Sequence, residues 1–431
     1  MKSTFALAAL ACSMLFGVPY ACGGEAAAPA VVARIDGAPL YASTFEAMLH
    51  ELPADQATLP RRQLLDRMIA DRLLARWARA SFTEAERYPG GAVGFARDVA
   101  QDDQLVALLR RLHRQELEAS LPRDALPGAV FTPAPALLEK VFGRPRVLRL
   151  DYVLGAEQVA LAQKIVLLRA TVGPRPLTLS VHQVLRRQNV QGRMEFFNHN
   201  VDFMQQQARA YAASLAVLDW AARRYGAQPL ADLRQTLADR DDVRAAMTLY
   251  GVLQGAEAQS ALPATLARKV TQAEIDVYYQ THKEQFRRVE RVRARHMRVA
   301  TEAMANALAA AAAAGQDFAA LARRHSLAPD ARRGGDLGWV VASPDPDWLS
   351  SLALMQPEGE VSKPFRAPVA AGAGAHWEIL LVDRRVEGFH AATSETVRYQ
   401  ASSEIAHSQA AAQLAAAREH AVRSASIEIT P

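Results

Sequence analysis

Apolar residues along this chain recur with two periods, and the alternation between them divides it into elements. Val31 to Ile35 reads as a short apolar strand, Asp36-Gly37 as a turn, and the residues up to 50 as a helix capped by Ser43 or Thr44. From Pro60, the residues Leu64, Leu65, Met68, Ile69, Leu73, Leu74 and Trp77 repeat at helical spacing, which predicts one buried stripe with arginines on the opposite face. A further helix is expected over 99–119. Pro122, Pro127, Gly128, Pro133 and Pro135 crowd the stretch 121–136, which reads as a linker. Beyond it, 147–154 reads as a strand, 156–168 as a helix and Gly173-Pro174-Arg175-Pro176 as a break.

From 205 to 266 the pattern is again helical, with Tyr211, Leu215, Leu218 and Trp220 and then Leu230, Leu233 and Leu237 on apolar faces. Thr271 and Glu274 form a capping box for a helix holding Ile275, Tyr278 and Tyr279. Next come strands at 289–299, 339–341 and 377–382, separated by helical runs. The alanine run 303–314 is helix-forming rather than low-complexity, and Asp317, Phe318, Ala319 and Leu321 read as core positions of the following helix. The chain closes with an Ala-rich helix over 397–422 and a short strand at 427–429.

The 431 residues exceed one ordinary core and suggest about three domains. Half the residues are apolar and 22% charged, a globular composition. The net charge of +5 comes from scattered arginines, with no basic block of the kind that grips nucleic acid. Met1-Lys2, the apolar run from Phe5 to Val18 and the small residues Ala21 to Gly24 match a secretory signal, which places the rest of the chain outside the cytoplasm. That run is too short for a permanent membrane span. Cys12 and Cys22 are the only cysteines and both belong to this segment, so no disulfide is expected in the exported part. Cys22 before Gly23-Gly24 could carry a lipid tether, but Pro19 stands where such signals usually carry Leu and argues for ordinary cleavage.

One ordered series carries the chemistry: His296 within Arg-Ala-Arg-His-Met-Arg-Val, Gly315-Gln316-Asp317-Phe318, Ser326, Gly334-Gly335-Asp336-Leu337-Gly338-Trp339, Gly359-Glu360-Val361-Ser362, and His376 ahead of an apolar run. The series resembles the parvulin (PpiC-like) family of peptidyl-prolyl cis-trans isomerases over roughly 289–386. Near the N-terminus, Asp36-Gly-x-Pro-Leu, a helix, and Arg-Gln-Leu-Leu-Asp-Arg-Met-Ile-Ala-Asp-Arg-Leu-Leu are similar in pattern to the helical chaperone part of exported SurA-like foldases. The implied fold class is α+β: a mainly helical chaperone domain built from N-terminal helices and the C-terminal helix, plus a parvulin-like domain with a small antiparallel sheet and surrounding helices. The expected divisions are a signal peptide at 1–24, a helical domain at 25–135, a mostly helical middle region and connecting helix at 136–286, the isomerase domain at 287–387, and a tail at 388–431 that folds back on the helical domain. The strand and helix after 147 would fit a decayed first isomerase module, although no second Gly-Gly-Asp-Leu-Gly follows.

The resemblance implies an isomerase acting on Xaa-Pro bonds of unfolded or nascent exported polypeptides in the periplasm. It implies no cofactor, metal or nucleic acid, and a membrane tether only if Cys22 is lipidated. His296 and His376 match the family's pair of histidines on adjacent strands and are expected to share a hydrogen bond; Ser326 completes the catalytic set. Leu337, Leu349 and Leu354 would line an apolar cup with Asp336 at its rim. Ala328 departs from the Asp or Cys usual there, with Asp330 a possible substitute, and Asp345 falls where an apolar residue is usual. A non-catalytic chaperone or assembly factor that kept the fold is therefore the alternative. The glycines of Gly-Gly-Asp-Leu-Gly supply turn geometry, since no Lys-Ser/Thr follows to make a phosphate loop. His199 between two asparagines reads as a loop residue rather than a zinc ligand.

Overall fold

The computed structural model describes residues 29–56, 58–89, 94–121, 128–147, 149–253, 261–368 and 374–430. The signal-like segment with Cys12 and Cys22, and residues 369–373 ahead of His376, lie outside the described residues. The chain forms two compact units, one taking in the described residues up to Met247 with those from Ala415 onward, the other Thr248–Leu414.

In the first unit, strands β1 (Val31–Ile35) and β2 (Ala38–Tyr41) form a hairpin whose two turn residues, Asp36 and Gly37, both have positive φ, 49° and 79°. That is the two-residue turn whose twist suits adjacent antiparallel strands. On the other side of β1 lies the C-terminal strand Ile427–Ile429, with Ala33 opposite Ile429. The last residues of the chain therefore pair with the N-terminal hairpin, while 388–414 of the expected tail belong to the second unit. The helix Ala42–His50 lacks the expected side-chain cap: Tyr41 precedes it, still extended, because β2 runs straight into the helix. Ser43 and Thr44 thus fall inside the first turn.

The predicted stripe Leu64, Leu65, Met68, Ile69 and Leu73 on helix Arg61–Ser81 is buried against Ile35, Leu40, Phe45, Leu105, Leu109 and Leu237. Its arginines do not all face water. Arg72 is buried and bonded to Asp232 (2.7 Å), Asp239 (3.2 Å) and the Thr236 hydroxyl (2.7 Å) of helix Ala227–Leu249. Farther along the same helix Asp242, fully buried, accepts from Arg79 (2.6 Å), Arg97 (2.6 Å), Tyr88 (2.7 Å) and Arg87. These acids and bases lie far apart in sequence, and helical spacing alone could not pair them.

A second core in this unit packs Phe142, Leu167, Leu179, Phe196, Phe197 and Met204. Strands here depart from the predicted ones. Residues 149–154 form no strand, and Leu150 and Val153 are exposed. The helix begun at Ala156 ends at Lys164, where Val166–Val172 becomes β4, paired to β3 (Gly128–Val130) and β5 (Arg175–Ser180). Gly173-Pro174 is the hairpin turn between β4 and β5, with Gly173 at φ 56°. The Val-rich run favours a strand once a partner is available, and part of the supposed linker, Gly128–Val130, is that partner. Helix Val201–Tyr225 lends Met204, Ala208 and Ala212 to this core and Val217 and Ala221 to the first.

The second unit opens on helix Gln272–Thr281, whose capping box is formed as read, Thr271 N–H to Glu274 at 2.8 Å and Glu274 N–H to the Thr271 hydroxyl at 3.3 Å. Ile275, Tyr279 and Phe286 pack on Val397 and Ala401 of helix Glu395–Ser424. Between them stands a four-stranded antiparallel sheet in the order β7-β6-β9-β8, made of β6 (Arg287–Val299), β7 (Asp336–Val341), β8 (Phe365–Arg366) and β9 (Trp377–Phe389). Alternation sends Met297, Val299 and Ile379 to one face, where helices Glu302–Ala313 and Phe318–His325 cover them. Val292, Ala294, Leu380 and Val382 point to the other, under helix Trp348–Met355. Phe318 is core as expected, but Asp317 is the helix N-cap, its carboxylate accepting the Ala319 N–H at 3.0 Å. Among the described residues no helix is long and apolar enough to cross a membrane.

Candidate functional site: a buried histidine between two carboxylates

His296 lies on β6, on the sheet face that carries Val292 and Ala294, and is 3% exposed. Both ring nitrogens are engaged: Nδ1 with the Glu378 carboxylate at 2.7 Å, Nε2 with both Asp330 oxygens at 3.0 and 3.1 Å. Glu378, on β9 and wholly buried, also accepts from Arg298 at 2.7 Å. Burial disfavours the imidazolium, but the hydrogen bond and charge of Glu378, and then Asp330, outweigh it and raise the His296 pKa above its ordinary value. The result is a line of alternating acids and bases, Asp330, His296, Glu378, Arg298, in which each group has a partner.

The raised pKa fixes the sign of a pH effect. The charged form is favoured in the folded state, so this contribution to stability is complete below the unfolded value of about 6.5 and is lost as pH rises through the higher folded value. With Trp77→Phe and Trp220→Phe in place, the remaining Trp339, Trp348 and Trp377 all report on the second unit. Its urea midpoint should fall as pH climbs from 6 through the folded pKa, and a His296→Gln chain should lose that dependence. A parallel decline in both chains would count against the pairing.

Backbone geometry explains how the acid arrives. The Ser326 hydroxyl oxygen accepts the N–H groups of Arg298 (3.0 Å) and Ala328 (3.2 Å), and Leu327 N–H donates to Arg298 C=O at 2.7 Å. The loop is thereby stitched to the end of β6. Asp330 C=O then accepts from Arg333 and Gly335, while His296 N–H donates to Gly335 C=O at 2.9 Å. Gly335 has φ 68°, and a Cβ there would fall 2.0 Å from the His296 carbonyl oxygen, so only glycine fits. Ser326 thus fastens the loop, Ala328 is buried, and the carboxylate that reaches His296 from this loop is that of Asp330.

The structure brings the predicted residues together unevenly. His376 stands just before β9, half-buried, its Nε2 3.7 Å from Glu378 and without a hydrogen-bond partner among the described residues. It does not bond His296 directly; Glu378 occupies the place beside the ring. Leu337, Leu349 and Leu354 join one half-buried apolar cluster with Val340, Leu352 and Phe365 over Val292, Ala294, Leu380 and Val382. Asp336 turns its carboxylate to the Gly338 N–H (2.9 Å) and Arg293 (3.0 Å), which hold it below the usual carboxylate range. Asp345 is exposed in a loop and no part of the apolar cluster, so the carboxylate anticipated in the cup is absent from it. Sequence reading passed over Glu378 and Arg298. The signal was there, a lone acid inside Trp-Glu-Ile-Leu-Leu-Val.

The apolar cluster and His296 share one face of an antiparallel sheet, and residues 270–398 match the family of PPIC-type PPIase domains. This segment is a parvulin-type domain. Its likeness extends to curated proteins: 38% identity over 99 residues, 23% of this chain and 31% of the relative, with the foldase protein PrsA of Caldanaerobacter subterraneus subsp. tengcongensis. The chaperone SurA of Thiobacillus denitrificans is 37% identical over 129 residues, 27% of this chain and 28% of its own length. The chain thus spans about a third or less of the length of these relatives. A crystal structure of PrsA from Bacillus subtilis aligns over 52% of this chain and 75% of its own at 21% identity, with a TM-score of 0.18.

Proposed function

We propose that the parvulin-type domain isomerises Xaa-Pro bonds and that the chain acts as an exported foldase on unfolded or nascent envelope polypeptides. The observation that carries this reading is the juxtaposition, on one sheet face, of the Asp330–His296–Glu378 line and the apolar cluster around Leu337, Leu349 and Leu354. Rotation about a peptide bond faces a barrier of about 18–20 kcal/mol, while the two prolyl isomers differ by about 1 kcal/mol. No bond breaks, so the catalyst must favour the twisted amide, in which carbonyl and nitrogen have lost resonance. The apolar cluster suits the proline ring and excludes water, and fixed charges beside it cost no reorganisation as the amide's charge distribution changes. Glu378 holds the Nδ1 side of His296 and Asp330 the Nε2 side, so the imidazolium is a fixed positive centre rather than a proton shuttle. In this scheme Ser326 positions the loop and His376 borders the network.

Export rests on the signal-like N-terminus; the periplasm as destination, the lipid tether at Cys22 and proline-containing clients belong to the same proposal. A protease-coupled assay on Xaa-Pro peptides tests the catalytic half: parent turnover should exceed the uncatalysed rate and fall about 10-fold to 100-fold in Asp330→Ala, the size of losing one preorganised polar group. Parent turnover at the uncatalysed rate would remove the enzyme reading. A second reading, a binding protein without turnover, is favoured by one observation: both nitrogens of His296 are already occupied.

A further inference from the structure

Among the described residues, the face of the parvulin-type sheet opposite the site is covered by helices only over its Met297–Val299 end. Over the other end the register sets residues side by side in two rows, Val341–Arg291–Val386 and Trp339–Arg293–Arg384, across β7, β6 and β9. Directly opposite residues in antiparallel strands project to the same side. Trp339 is 39% and Val341 60% exposed, and the three arginines are exposed too. The Arg291 guanidinium lies over the Trp339 ring, 4.6 Å from its centroid. Arg293 stands opposite Arg384, an arrangement that destabilises a sheet unless something else requires it. Of the nearby acids, Asp336 pairs with Arg293, Asp383 with Arg295, and Glu387 with Arg287 and Arg385, while Glu290 sets its carboxylate beside Gly388. Arg291 and Arg384 have no ion-pair partner among the described residues.

We propose that this face is a docking surface for an extended acidic polypeptide segment that adds to the free edge of β7. Charge complementarity selects an acidic occupant, because two cations lack counter-ions and a third shares one. The edge selects a polypeptide. Among the described residues β7 is the last strand of the sheet, paired on one side only, so an extended chain gains main-chain hydrogen bonds there that a lipid surface or a nucleic acid cannot make. Side chains on one face of the added strand would meet Trp339 and Val341 and lie within reach of Arg291 and Arg293. The surface lies on the opposite side of the sheet from His296, so occupancy and turnover are separable.

Binding to the full chain is to be measured by fluorescence anisotropy with a labelled peptide of alternating Glu and Val, a Lys-Val counterpart, and a Glu-Val peptide N-methylated at alternate backbone nitrogens. The acidic peptide should bind with an affinity that falls as salt rises, the lysine peptide should not, and N-methylation should weaken binding. Arg291→Glu with Arg384→Glu should reduce affinity about tenfold or more, and the milder Arg291→Gln with Arg384→Gln less. Both variants should keep the parent's thermal melting and Xaa-Pro turnover, since glutamate opposite Arg293 relieves a like-charge contact. Equal binding of acidic and basic peptides, or unchanged affinity in both folded double variants, would overturn the proposal. So would stronger competition from phosphatidylglycerol vesicles or a single-stranded oligonucleotide than from unlabelled peptide. Loss of turnover in every chain would instead count against the proposed catalysis and leave the docking result standing.

Discussion

Asp242→Ala should destabilise the first unit by about 3–5 kcal/mol, the cost of removing one partner from a buried ion pair. Asp242 has no exposed surface and serves Arg79, Arg87, Arg97 and the Tyr88 hydroxyl together. Its loss strands Arg87, itself buried, with no other carboxylate in contact among the described residues. Arg79 keeps Asp239 at 2.8 Å, so the damage concentrates at the Arg87–Arg97 end. Asp242→Asn keeps acceptor geometry without the charge and should fall between parent and alanine variant. Urea unfolding followed by Trp77 and Trp220, in a chain with the other three tryptophans replaced by Phe, reads this unit. A midpoint unchanged by Asp242→Ala would show that water reaches Arg87 and that the network contributes little.

The other large effect belongs to the site. Glu378→Ala removes the carboxylate that faces both His296 and Arg298 from a fully buried position, and should cost the second unit about 3–5 kcal/mol. It also reverses the titration of His296. Without Glu378 the leading effect left is burial, opposed only by Asp330, so the imidazole pKa should drop, and NMR titration of the ring can follow it. Xaa-Pro turnover should fall with the loss of the fixed positive centre. Glu378→Gln retains an oxygen for the His296 N–H and should spare more stability than turnover. If the ring titrates unchanged in both variants, Glu378 does not set its charge.

Much of the architecture was legible because local pattern and tertiary demand agreed. The Asp36-Gly37 turn and the Thr271–Glu274 capping box rest on contacts within a few residues, the Leu64 to Leu73 stripe follows from helical spacing alone, and each is present as read. Misreadings came where a distant partner overrode local preference. Val166–Val172 continues a helical pattern until β3 and β5 offer it ladders, and 149–154 has strand composition but no partner to pair with.

The site divides in the same way. Motif order by itself pointed to His296, the Gly334–Gly338 turn and the apolar leucines, and the structure sets them on and beside one sheet, because close backbone approach at Gly335 and a period of two along strands leave direct marks on residue type. What the sequence could not determine was which polar groups meet. Electrostatic partners are selected by distances of about 3 Å across strands and loops, and those distances exist only after the sheet register and the Ser326 stitch are in place. The tertiary structure therefore put Glu378 rather than His376 beside His296, set the Asp330 carboxylate against the Nε2 of the same ring, left Asp345 in solvent, and buried Arg72 with the acids of a helix 160 residues away.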